Sequence, residues 1–79
     1  MDYIDSIQDN LKLEFVIFCV ENIAKHLGKD GSKVYTAFAE KSTILKDYII
    51  PEYEMLHTQS KEYIIHDILE VMKEMEVEI

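Results

Sequence analysis

The residues best placed to do chemistry cluster between two stretches of helical pattern. They are Tyr53, His57, Thr58 and Asp67. An imidazole can act as base or donor near neutral pH, and a carboxylate can orient it. His57 and Asp67 would serve those roles if a fold brought them together, with Thr58 and Tyr53 lending hydroxyls. The same residues have plainer uses. A histidine at a helix end satisfies free carbonyls and complements the dipole. Thr58 or Ser60 suits the N-cap of a following helix. Tyrosines 53 and 63 suit the edge of a core.

Other constellations are weaker. His66 and Asp67 are neighbours on a helical pattern, so their side chains diverge by about 100°. No histidine pair stands at i,i+4, and one cysteine, Cys19, excludes both a Cys-based zinc cluster and an internal disulfide. Cys19 sits in an apolar run, which suits a buried inert thiol. Gly28-x-x-Gly31 lacks the Lys-Ser/Thr ending of a phosphate loop and reads as a helix stop and turn. No catalytic, cofactor-binding or metal-ligating set emerges.

The elements that must position these residues are helical. Two glycines and one proline punctuate 79 residues. With so few breakers, the spacing predicts an all-α single domain over 1–79, a small bundle of four principal helices. They cover about 6–27, 33–41, 43–57 broken at Pro51, and 61–76. The first starts in a box-like sequence, Asp5-Ser6-Ile7-Gln8, and stops at Gly28. At about 100° per residue, Leu13, Val16, Ile17, Val20, Ile23, Ala24 and Leu27 share one broad face. Leu11, Phe15, Phe18 and Cys19 form a second apolar arc, and Glu21 with Lys25 an i,i+4 pair. A helix apolar on two sides has neighbours on both, or contributes one side of a dimer. Phe15 and Phe18 are therefore candidates for an exposed contact patch.

Ser32 is the expected N-cap of the second helix, whose face is Val34, Ala37 and Phe38. Ile44, Leu45, Tyr48 and Ile49 form the next stripe. Pro51 biases Ile50 away from helical geometry and sits at N1 of a fresh start, with Glu52 and Glu54 in its first turn. The last helix carries Ile64, Ile65, Ile68, Leu69, Val71, Met72 and Met75 as its apolar stripe.

Composition narrows function. Hydrophobic residues make up 48% of the chain, too many for a disordered segment. Sixteen acids against eight lysines, with no arginine, give a net charge of −8. DNA binding rests on Lys/Arg–phosphate contacts and on arginine forks to guanine, so nucleic acid is excluded as a partner. No apolar run approaches the roughly twenty residues of a membrane span, and the opening lacks the basic region of a signal peptide. The expected location is the cytoplasm. Seven of the net negative charges fall within 1–14 and 61–79, leaving the middle nearly neutral. An acidic surface of this kind suits a basic partner.

Tyr48-Ile49-Ile50-Pro51-Glu52-Tyr53-Glu54-Met55-Leu56-His57-Thr58-Gln59, with Glu62-Tyr63-Ile64-Ile65 and Asp67-Ile68, resembles domain-of-unknown-function family 3791, a set of short bacterial proteins. The likeness extends upstream through Phe15-Val16-Ile17-Phe18-Cys19-Val20-Glu21 and Gly28 to Tyr35, about residues 11–75 in all. Leu56-His57-Thr58 is its most specific part. The family pattern often has glycine where this chain has Ser60. The resemblance implies no activity, substrate or cofactor. It does imply a genomic neighbour that looks like an ADP-ribosyltransferase, an arrangement that fits a toxin–antitoxin or enzyme–inhibitor pair.

These observations read as a non-enzymatic protein-interaction module, antitoxin-like or regulatory, with contact residues Phe15, Phe18, Tyr53, His57, Thr58 and Asp67. The alternatives are a small enzyme or ligand binder using the His57 region, and a self-associating structural domain with a homodimer contact.

Overall fold

A computed structural model describes residues 3–79, with side chains from Asp9 onward. The described residues form four α-helices and one π-helical turn, with no strand among them. The helices are α1 (Tyr3–Leu27), α2 (Gly31–Ala39), α3 (Tyr53–Leu56) and α4 (Lys61–Glu74); the π-helical turn is Leu45–Ile49. All-α is right, but five helical elements stand where four were expected.

Helix α1 is the spine. At 1.5 Å per residue its 25 residues span about 37 Å, which matches the 37 Å long axis of the molecule. It packs against α2 and α4, and α2 packs in turn against the π-helical turn. Helix α1 is already formed at Tyr3, ahead of the expected start; the side chains of the box-like Asp5–Gln8 segment lie outside the described residues.

Both long helices end in the same device. Gly28 takes φ 65°, its N–H reaches Lys25 O at 3.3 Å, and the Lys29 N–H reaches Ala24 O at 2.9 Å. This is the paired bond pattern of a Schellman stop, which turns the chain without orphaning carbonyls. At the end of α4, Glu76 takes φ 57°, with Glu76 N–H to Lys73 O at 3.3 Å and Val77 N–H to Met72 O at 2.8 Å. Here a residue with a Cβ occupies the left-handed position, and Val77 packs on the core in return.

The start of α2 corrects one expectation. Asp30, not Ser32, is the N-cap: its carboxylate accepts the Ser32 N–H at 2.8 Å and the Ser32 hydroxyl at 2.9 Å. Asp30 stands in extended geometry, which Ser32, inside the first turn, does not. Accepting that N–H also holds the Asp30 carboxyl below its ordinary pKa. Helix α2 accordingly runs two residues earlier than expected at each end. Of the two expected caps for α4, Thr58 and Ser60, it is Ser60 that accepts the Tyr63 N–H, at 3.1 Å.

The segment before Pro51 is the least regular. Ile44 and Ile49 are both fully buried, yet five α-helical steps separate side chains by about 140°. The coil widens to a π turn, closed by Ile50 N–H to Leu45 O at 3.0 Å, and places residues five apart on one side. Ile50 does not leave helical space: it holds φ −68°, ψ −48°. In a regular helix the proline ring meets the carbonyl four residues back; the widened turn makes room for it. Pro51 therefore lies in the connecting turn rather than at N1, and α3 starts at Tyr53 with Glu52 as its cap residue.

The core draws on every element: Phe15, Cys19 and Ile23 from α1, Val34 and Phe38 from α2, then Ile44, Ile49, Leu56, Ile64 and Ile68. The buried polar side-chain atoms among the described residues all have partners. No described helix is long and apolar enough to cross a membrane.

Candidate protein-contact surface

Four of the six candidate residues form a continuous aromatic row. Phe18 stacks on Phe15 with ring centroids 6.3 Å apart. Phe15 receives Tyr53 edge-on at 5.4 Å. Tyr53 then stacks on His57 at 4.6 Å with rings 15° from parallel. The row pins α3 to α1 and runs from core to solvent. Phe15 is 8% exposed, Phe18 and Tyr53 are half-buried, and His57 is exposed.

The expected exposed patch at Phe15 and Phe18 is thus corrected. Tyr53 of the same chain covers Phe15, and Cys19 beside them is buried. Burial pushes the Cys19 thiol up to about 12, so the reactive thiolate is scarce at neutral pH.

Thr58 takes the role expected of His57. The Thr58 hydroxyl donates to Met55 O at 2.8 Å and so satisfies the end of α3. The His57 ring stacks instead, and its own backbone N–H reaches Tyr53 O at 3.0 Å. Asp67 is engaged elsewhere. Its carboxylate accepts the Tyr48 hydroxyl, tying the π-helical turn to α4. Burial, then this hydrogen bond and the charges of Asp67 and Glu52, raise the Tyr48 phenol above its ordinary pKa. No His57–Asp67 hydrogen bond forms. His66 faces Glu70 at 4.0 Å on the wet side of α4.

Among the described residues, an exposed apolar feature lies on the other flank of α1. Leu13 is 58% exposed and Ile17 48%, although both belong to the stripe expected to be buried. Tyr35 of α2 is 47% exposed and Ile50 beside Pro51 is 37% exposed. Two open grooves, of about 270 and 330 Å³, meet here and share Leu13, Val16 and Tyr35. Ile17 and Glu21 line the first; Asp9, Lys12, Leu45 and Ile50 line the second. Asp9, Leu13, Ile17 and Glu21 follow one another at four-residue steps, so they form a single ridge on α1. An apolar pair stands between two acids.

One signal for this surface was present in the lengths. Nine residues of α2 extend about 13 Å, a third of α1. A partner that short leaves part of a long apolar face uncovered.

No curated protein and no solved structure matched the chain. One family model did, over residues 14–75, described as a protein of unknown function (DUF3791). The match takes in the aromatic row, the proline-adjacent π turn and Ile17 and Glu21 of the exposed ridge, and on it the chain belongs to that family.

Proposed function

We propose that this protein is a non-enzymatic interaction module, an antitoxin-like or regulatory partner of a neighbouring gene product, acting in the cytoplasm. The observation that carries the reading is the exposed ridge of Leu13 and Ile17 with Tyr35 and Ile50 beside it. A domain this small that closes its core so fully, yet leaves four large apolar side chains together on one side, has a surface suited to a protein. Of the candidate catalytic pair, Asp67 accepts from Tyr48 and not from His57.

Co-expression with the products of adjacent genes, the ADP-ribosyltransferase-like protein first among them, is the test. Wild type should elute with one of them as a stoichiometric complex at micromolar concentration, and Ile17→Ser should weaken that complex. A protein that elutes alone beside every neighbour overturns the proposal.

A further inference from the structure

We infer that the ridge Asp9–Leu13–Ile17–Glu21 receives a cationic amphipathic helix of a partner protein. The inference rests on the interaction reading above and names the chemistry of the partner. Leu13 and Ile17 supply a step of one helical turn, the spacing at which an amphipathic helix lays its anchors into a groove. Val16, Tyr35 and Ile50 form the groove beside the ridge.

Charge selects the occupant. Asp9 and Glu21 close the ridge at its two ends, about 18 Å apart along the helix. Glu14, seven residues before Glu21 and exposed, lies on the same outer flank. Among the described residues, Lys12 is the one base lining these grooves, half-buried at the Asp9 end. The groove linings carry Asp9 and Glu21 against Lys12, with Lys25 one turn beyond Glu21, and they stand on a chain of net charge −8. A helix with two apolar anchors and Lys or Arg about three turns apart satisfies both ends at once.

A second copy of this chain fits poorly. A two-fold contact centred between Leu13 and Ile17 pairs them correctly. It also sets Asp9 of each copy against Glu21 of the other. Two like-charge clashes then flank a small apolar contact between two strongly acidic chains.

The experiment uses three synthetic eighteen-residue helical peptides, titrated into the full chain at physiological salt by fluorescence anisotropy. One carries a Leu stripe flanked by Lys; one replaces each Lys with Glu; one scrambles the first sequence at constant composition. The Lys peptide should bind at least about tenfold more tightly than either control. Ile17→Ser should weaken it at least about fivefold, and Asp9→Asn with Glu21→Gln about threefold. Both alterations lie on the exposed flank, and circular dichroism confirms that helix content is retained. Amide shifts in a ¹⁵N spectrum should centre on Leu13, Ile17 and Tyr35. Equal binding of the scrambled peptide, indifference to Ile17→Ser, a Glu peptide as tight as the Lys peptide, or no binding by any of them overturns the inference. If a neighbouring gene product still forms its Ile17-dependent complex, the interaction reading stands and only the cationic class falls; if that complex is also absent, both fall.

Discussion

Ile17 and Ile23 are the same residue on the same helix, six positions apart, yet Ile17 is half in water and Ile23 is fully buried. The buried side of α1 runs from Phe15 through Cys19 and Ile23 to Val16 and Val20, straddling the two apolar arcs rather than following either. Leu13 and Ile17 fall off one edge of it. Hydrophobic period identifies which residues share a face; it does not say how wide a neighbour lies on that face. Helix α2 is short, and α4 and the aromatic row take the other side. The uncovered remainder is the exposed ridge of Leu13 and Ile17.

Substitutions can break this contrast at either flank. The largest effect is expected at Phe15. Phe15→Glu removes the ring under Tyr53 and buries a charge, which should cost at least about 4 kcal/mol and leave the domain largely unfolded by circular dichroism. A stable, folded Phe15→Glu protein would place Phe15 on the surface and invert the comparison.

A gentler pair sharpens it. Ile23→Ala should cost about 2–5 kcal/mol in urea unfolding, as for a fully buried aliphatic. Ile17→Ala should stay within about 0.5 kcal/mol, because an exposed helical position loses little and alanine favours helix. Equal costs at the two sites would mean that Ile17 is covered in solution, for instance by a second copy, and sedimentation would then read that copy directly.

The Tyr48–Asp67 tie gives a third and smaller effect. Tyr48→Phe should cost about 1 kcal/mol, since the bond is only half-buried. It should also change the alkaline limb of the stability curve. The folded state holds the Tyr48 proton more tightly than the unfolded chain, so its contribution is complete below the unfolded pKa of about 10 and is lost as pH rises beyond it. The Cys19 thiol, raised by burial to about 12, adds a loss of the same sign that starts near pH 9. Unfolding followed from pH 8 to 11 should therefore show a shallower decline in Tyr48→Phe than in wild type. Parallel curves would assign the alkaline loss to Cys19 alone.

The smallest effect is expected where two helix stops differ by one residue. Gly28 and Glu76 adopt nearly the same left-handed backbone, but only glycine does so without strain from a Cβ. Glu76→Gly should stabilise the domain by up to about 1 kcal/mol, some 4–8 °C in Tm for a chain of this size. A fall in Tm would show that the Glu76 side chain holds the end of α4 by a contact of its own.

Much of the fold was legible before any coordinate. Low breaker content announced helices, Gly28 ended the first of them, Ser60 started the last, and Ile64, Ile68 and Met72 line up as its buried stripe. The misreadings have definite causes. Ser32 and Asp30 are both good cap residues two positions apart, and only backbone geometry chooses between them. The stripe of Ile44 and Ile49 was read correctly as core, but the π turn that brings residues five apart to one side departs from the 3.6-residue period and has no local signal. Of the candidate site, Tyr53 and His57 do meet, and so do Phe15 and Phe18, but the pairing of Asp67 with Tyr48 crosses nineteen residues and no local spacing encodes it. The ridge at Leu13 and Ile17 was visible as apolar and misplaced as core, because exposure is a property of the neighbours.

The spine arrangement also has a kinetic side. Helices α1 and α2 are joined by a three-residue turn and meet as a local hairpin, so their contact closes a short loop. Helix α4 returns to α1 only after the whole intervening chain has been traversed. Loop-closure entropy grows slowly with length, about 0.6 kcal/mol per doubling, so this last closure is slower but not prohibitive. A helical domain built from one hairpin and one return belongs among rapid folders, in the microsecond-to-millisecond range. The α1–α2 hairpin contains Leu13, Ile17 and Tyr35, so local closure alone suffices to set these three side chains beside one another.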